Sequence, residues 1–149
     1  MSNVYVLDAC AIIAMVTNEN GAHIVRDVVN NIDDDGKIIK MHVLNLYEVY
    51  YYMIKKYDEQ YALKIMEEIK MSPMQITTEI NDNQFYTAGR LKSSYKMSLA
   101  DSFGLAEAIL NDGYFVTADH HEMDIVEANE KIKFIWIRNK KNGSPTNST

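Results

Sequence analysis

Apolar positions along the chain alternate between the two-residue period of strands and the three-to-four-residue period of helices. Val4 to Leu7 is a short β-prone run that stops at Asp8, and Ala9 to Val16 then reads as a short helix. Ala22 to Ile32 reads as a second helix, closed by the turn Asp33-Asp34-Asp35-Gly36. Lys37 to Val43 alternates apolar and polar residues, as a strand does. A helix from Leu46 to Tyr57 carries Val49, Met53 and Ile54 as its apolar positions. Glu59 to Met71 is another, with Leu63, Ile65, Met66 and Ile69. After Pro73, Gln75 to Thr78 suits a short strand. Asn83 to Tyr95 is helical, with Phe85, Tyr86, Ala88 and Leu91 inward. Leu99 to Leu110 is a strongly apolar helix that Asn111-Asp112-Gly113 ends. Tyr114 to Thr117 is a strand, Glu122 to Asn129 a short helix and Lys133 to Ile137 a last strand.

Strands separated by helices predict an α/β domain: a central parallel sheet with helices on both faces. In such folds the functional groups lie beyond the carboxyl ends of the strands. Asp8 directly follows the first strand, and Asp119 lies two residues past Thr117. Glu48 falls in the first two turns of the helix after the second strand, and Asp101 in the first turn of the helix that feeds the Tyr114 strand. One sheet edge can therefore collect all four.

Each acid also has a purely structural reading. Asp8 and Asp119 suit N-caps, Ser98-Leu99-Ala100-Asp101 matches a capping box, and Glu48 suits a solvated helix position. Their neighbours weigh against surface charge, because Asp8 precedes Ala9-Cys10-Ala11-Ile12-Ile13 and Asp101 precedes Ser102-Phe103-Gly104-Leu105-Ala106. Converging carboxylates in apolar surroundings pay for desolvation and repel one another unless a cation joins them. With oxygen ligands and no Cys/His cluster, Mg²⁺ or Mn²⁺ fits better than zinc. Such a site suits metal-assisted phosphodiester hydrolysis.

Composition adjusts this picture only a little. The 149 residues, 47% hydrophobic and 24% charged, suit one globular domain over residues 1–138, with a low-complexity tail from Asn139 to Thr149 that reads as disordered. No apolar run approaches a bilayer span, the start reads as a strand and not a leader, and the single cysteine fits a reducing compartment. The expectation is a cytoplasmic protein. The net charge of −6 argues against a generic electrostatic nucleic-acid binder. It does not exclude a nuclease, since four metal-binding acids account for four of those six charges.

The runs Val-Leu-Asp8-Ala-Cys-Ala-Ile-Ile-Ala, Asn45-Leu-Tyr-Glu48-Val-Tyr-Tyr, Ser98-Leu-Ala-Asp101-Ser-Phe-Gly-Leu-Ala and Phe115-Val-Thr117-Ala-Asp119 resemble the successive motifs of PIN-domain nucleases. In particular they resemble the VapC-type toxins of toxin–antitoxin pairs, from Asn3 to about Ile137. The resemblance implies a three-layer α/β/α domain, a Mg²⁺- or Mn²⁺-dependent endoribonuclease, often a homodimer, and a small antitoxin that blocks the acidic site. It implies that Asp8, Glu48, Asp101 and Asp119 ligate the metal, with Thr117 a supporting hydroxyl near Asp119. Ala9 and Cys10 stand where the family commonly has Ser or Thr. Two other readings stay open: an RNA-processing PIN nuclease without an antitoxin, and a catalytically silent PIN-like binding module.

Several further candidates accompany the four acids. Glu122 and Asp124 follow Asp119 closely enough to add a water-mediated ligand. Arg90, Lys92 and Lys96 form the best basic cluster and are weak candidates for RNA phosphate contacts. Tyr47, Tyr50, Tyr51, Tyr52 and Tyr57 crowd one helix, where with Val49 and Met53 they suit an antitoxin groove or base stacking. His120 and His121 read as exposed loop residues, because adjacent histidines point apart. His23 and His42 read as structural. Cys10 reads as a small buried residue, since the Asp8 carboxylate disfavours its thiolate.

Overall fold

In the computed structural model, which describes residues 3–30 and 36–140, the strands are β1 (Val4–Leu7), β2 (Ile38–His42), β3 (Gln75–Thr77), β4 (Tyr114–Thr117) and β5 (Lys133–Trp136). The helices are α1 (Ala9–Val16), α2 (Ala22–Asn30), α3 (Val43–Lys56), α4 (Glu59–Met71), α5 (Asp82–Ser94), α6 (Leu99–Leu110) and α7 (His120–Asn129). The five strands are parallel and pair in the order β3-β2-β1-β4-β5. The chain thus builds outward from β1 to β3, then returns to add β4 and β5 on the other side. The reversal leaves a crevice between the carboxyl ends of β1 and β4, the place where open parallel sheets hold their ligands.

Alternation along the central strands divides the core in two. Leu7, Ile39, Met41 and Val116 face α1 to α4, while Val6 and Phe115 face α5 to α7. Each fully buried aliphatic or aromatic side chain contributes about 1.5–3 kcal/mol by leaving water. The result is a three-layer α/β/α domain. Away from the crevice between β1 and β4, Glu107 of α6 is buried at 1% exposed. Lys40 of β2 pairs with it at 3.6 Å, and the Thr77 hydroxyl of β3 donates to it. That acid clasps the neighbouring strands β2 and β3 under α6. Among the described residues, no helix is long and apolar enough to cross a membrane.

Four expectations need correction. Helix α3 starts at Val43, not Leu46, because the His42 ring caps it: Nδ1 accepts from the Leu44 amide at 3.1 Å. The buried positions of α5 are Gln84, Ala88 and Leu91, which leaves Phe85 and Tyr86 61% and 71% exposed. In α4, Leu63 is likewise outward, and Ala62, Ile65, Met66 and Ile69 face the core. His120 and His121 open α7 instead of lying in a loop. His120 stacks on Trp136 at 3.8 Å and holds Asp124 and the Arg138 carbonyl through its two ring nitrogens. The expected end of the second helix and its turn through Asp35, and the tail beyond residue 140, lie outside the described residues.

Gly21, between α1 and α2, has φ +94°, and a Cβ there would stand 2.2 Å from the Ile137 carbonyl oxygen. The backbones touch there, and only glycine fits both the dihedral and the gap. Gly21→Ala should lower stability by about 2–4 kcal/mol, measured by denaturant melting.

Candidate metal centre

The crevice at the reversal point is a cleft of about 280 Å³ that Asp8, Glu48, Asp101 and Asp119 line together. Each acid arrives by a different local device. Asp8 ends β1 and caps α1, its Oδ1 accepting from the Ala11 amide at 2.9 Å. Asp119 caps α7, accepting from the Glu122 amide at 3.2 Å. Asp101 occupies the third position of α6, where its own amide donates to the capping Ser98 hydroxyl at 3.0 Å. Glu48 comes from the second turn of α3. Capping and clustering are therefore not alternatives here, since a helix start supplies the amide that fixes the direction of Asp8 and of Asp119.

Asp8 is the most constrained of the four. It is 2% exposed, and the Thr117 hydroxyl donates to its Oδ2 at 2.5 Å. Thr117 Oγ1 in turn accepts from the Asp119 amide at 3.1 Å, so one hydroxyl ties both strand-end acids together. The Cys10 thiol donates to Asp8 at 3.2 Å, and its sulfur accepts from the Ala118 amide at 3.3 Å. The sulfur thereby fills the place of the missing hydroxyl. Burial, then the Asp8 charge, pushes the Cys10 thiol up, so it stays protonated and able to donate.

A contact that the sequence did not advertise holds the two helices in register. Asn45, one turn before Glu48 and fully buried, donates from Nδ2 to the Ala100 carbonyl at 3.1 Å, next to Asp101. Gly104 makes room for it, since a Cβ there would lie 2.9 Å from that nitrogen. The signal was present as an unexplained Asn and Gly in otherwise apolar helix faces.

The weaker candidates divide. Carboxylate oxygens of Asp101, Asp119 and Glu122 approach within 4.8 Å of one another, which puts Glu122 among the acids. Asp124 turns away to His120 and to Lys140, at 2.7 and 2.9 Å. Arg90, Lys92 and Lys96 do not line the cleft. Arg90 pairs with Glu130 through two nitrogens, and Lys92 donates to the Met97 carbonyl at 2.9 Å. Val49 and Met53 are fully buried in the core, so they cannot line a partner groove; Tyr51 and Tyr52 of the same helix do line the cleft.

The acids hold one another's protons. Burial, opposed by the bonds from Thr117, Ala11 and Cys10, leaves Asp8 pushed up to about 6. Burial and then the Asp8 charge push Asp101 up to about 8. Glu48 is raised too, by burial, then Asp8 and Glu122. Such an all-oxygen set, strained by like charge, fits a hard divalent cation.

The PIN domain family model matches residues 5–128. The chain belongs to the PIN domain family. No curated protein sequence matches it significantly. Among solved structures, the PIN chain is similar to VapBC2 of Rickettsia felis bound to promoter DNA. The TM-score is 0.65 at 13% identity, over 89% of this chain and 97% of that one. It is similar to DNA-bound VapBC of Salmonella typhimurium, with TM-score 0.66 and 14% identity over 90% and 98%. It is also similar to VapC20 of Mycobacterium tuberculosis, a sarcin-ricin loop cleaving toxin, with TM-score 0.61 and 7% identity over 87% and 98%. At these identities the shared property is the fold.

The raised carboxyls link stability to pH. Their folded values, about 6 and 8, exceed the ordinary 3.8. The folded state therefore binds more protons than the unfolded one between about pH 4 and 8, and stability falls as pH rises through that window. In chelator, Asp101→Asn should stabilise the PIN domain, by a margin that grows by on the order of 1–3 kcal/mol from pH 5 to pH 8 in thermal melts. A margin independent of pH would contradict this electrostatic account.

Proposed function

We propose that the protein is a Mg²⁺- or Mn²⁺-dependent endoribonuclease, the toxin of a toxin–antitoxin pair. The observation that carries the reading is the convergence of four acids from four elements on the crevice between β1 and β4, in a chain of the PIN family. Asp8, Glu48, Asp101 and Asp119 are the proposed ligands and catalytic acids, with Glu122 adjoining them. A divalent cation held there supplies neutralisation of a phosphodiester's charge and acidification of water.

The chain's own residues do the positioning. Thr117 fixes the Asp8 carboxylate and, through the Asp119 amide, the start of α7. Asn45 fixes the distance between the helices that carry Glu48 and Asp101. Asp8 and Asp101, raised by burial and by neighbouring charge, can take or return a proton near pH 7 when left without a metal bond. Hydrolysis by water leaves a 3′-hydroxyl and a 5′-phosphate. An antitoxin belongs to the same reading, supported by the VapBC complexes among the similar structures, and a homodimer is proposed with it. Cytoplasmic location goes with it.

Asp8→Asn keeps an oxygen for the Ala11 amide and lets the Thr117 hydroxyl turn to accept, so the fold should survive. Cleavage of a total-RNA pool should fall by about a hundredfold or more, and chelation of the wild type should do the same. Undiminished cleavage by Asp8→Asn across a Mn²⁺ titration would sink the mechanism. Absence of Mn²⁺ binding in calorimetry would favour a silent binding module. A neighbouring reading frame whose product abolishes cleavage on co-expression separates the toxin from a housekeeping nuclease.

A further inference from the structure

Among the described residues, those that line the cleft include acids and aromatics but no Lys or Arg. Several described basic groups are engaged elsewhere. Arg90 is held by Glu130, Lys92 by the Met97 carbonyl, and Lys56 and Arg138 by Glu19. A nucleic acid entering the cleft thus meets no phosphate clamp of the usual Lys and Arg kind. The acids can account for one phosphate, through the cation they share. They cannot hold the nucleotides on either side of it.

The wall formed by α3 offers what is missing. Tyr51 follows Glu48 by three residues and Tyr52 by four, so both project from the acid's side of the helix and line the cleft. Tyr51 is 41% exposed, and Tyr47 one turn earlier is 61% exposed. Their rings meet edge to face at 5.3 Å, which fixes the orientation of Tyr51 without covering it. Neither ring is needed by the core, since α3 buries Asn45, Leu46, Val49 and Met53. A rigid, exposed aromatic face beside a phosphate-handling site is the arrangement on which nucleobases stack.

Resting on the nuclease reading above, we infer that Tyr51, braced by Tyr47, is the stacking platform for one unpaired nucleobase next to the scissile phosphate. A base in a duplex is already stacked on its neighbours, so the platform selects RNA whose base at that position is free. The phenol hydroxyl is not required for stacking, whereas the ring is.

The test uses the full-length protein with Mn²⁺ and a single-stranded RNA oligonucleotide cut at a mapped site. Tyr51→Ala should raise KM roughly ten- to hundredfold with kcat changed by less than about threefold, and Tyr51→Phe should restore the wild-type KM. Mn²⁺ affinity by calorimetry should match the wild type in both variants. Replacing successive nucleotides with abasic residues should reveal one position beside the cut where the wild type suffers the same loss and Tyr51→Ala loses nothing more. An unchanged KM in Tyr51→Ala, with the wild type active, overturns the platform and gives the aromatic wall to a protein partner. Absence of a non-additive abasic position overturns it as well. A wild type that binds Mn²⁺ but cuts no RNA overturns the nuclease reading, and the platform with it.

Discussion

The site depends on keeping one buried carboxylate, Asp8, fixed at the end of the central strand. A carboxylate that is 2% exposed is costly to hold ionised unless its oxygens are satisfied. Here the Thr117 hydroxyl, the Ala11 amide and the Cys10 thiol supply the bonds. Those three donors come from the neighbouring strand's end and from the first turn of the following helix. Local satisfaction of one acid therefore fixes how β1, β4 and α1 meet. The other acids are then placed against that point, by the Thr117–Asp119 link on one side and by the Asn45–Ala100 contact across α3 and α6 on the other.

The same placement works against the fold. Burial and mutual repulsion raise Asp8, Glu48 and Asp101 together, so the folded state holds protons that the unfolded chain would release. Structure that served stability alone would put amides or apolar groups at these positions. The domain carries the repulsion because its core is large enough to offset it, with two apolar layers filled by α1 to α4 and α5 to α7. Stability is given up locally at the site, as preorganised binding sites generally require.

Much of this was legible in the sequence because the relevant signals are local. The bounds of α1, α4, α6, β1 and β4 follow from runs of apolar residues with clear stops such as Asn111-Asp112-Gly113. The four acids were legible because strand ends and helix starts are legible. What failed depends on tertiary context. His42 caps α3 only because its ring is buried beside Phe103, at 5.1 Å, a setting that no helix-start rule contains. The rotation of α5 is set by burial of Gln84 in place of the bulkier Phe85, and amphipathic counting favours the opposite choice. His120 looked like loop because its partners, Asp124, Arg138 and Trp136, come from one turn ahead and from the last strand and its exit. Asn45 and Gly104 could be seen as oddities but not paired, since a 59-residue separation hides their contact.

The distribution of positive charge carries the last step. Several of the lysines and arginines that an acidic chain of net charge −6 keeps are used in ion pairs on the outer surface, away from the cleft. A cleft lined by Asp8, Glu48, Asp101 and Asp119, with no opposing Lys or Arg among the described residues, repels a phosphodiester by itself. On the proposed function, a cation must reverse the sign of the field before any substrate can approach. Occupancy of the acids then decides binding as well as chemistry. A nuclease with a basic groove can hold RNA without its metal, whereas on the proposed function the described lining of this cleft offers an aromatic face until the acids are neutralised.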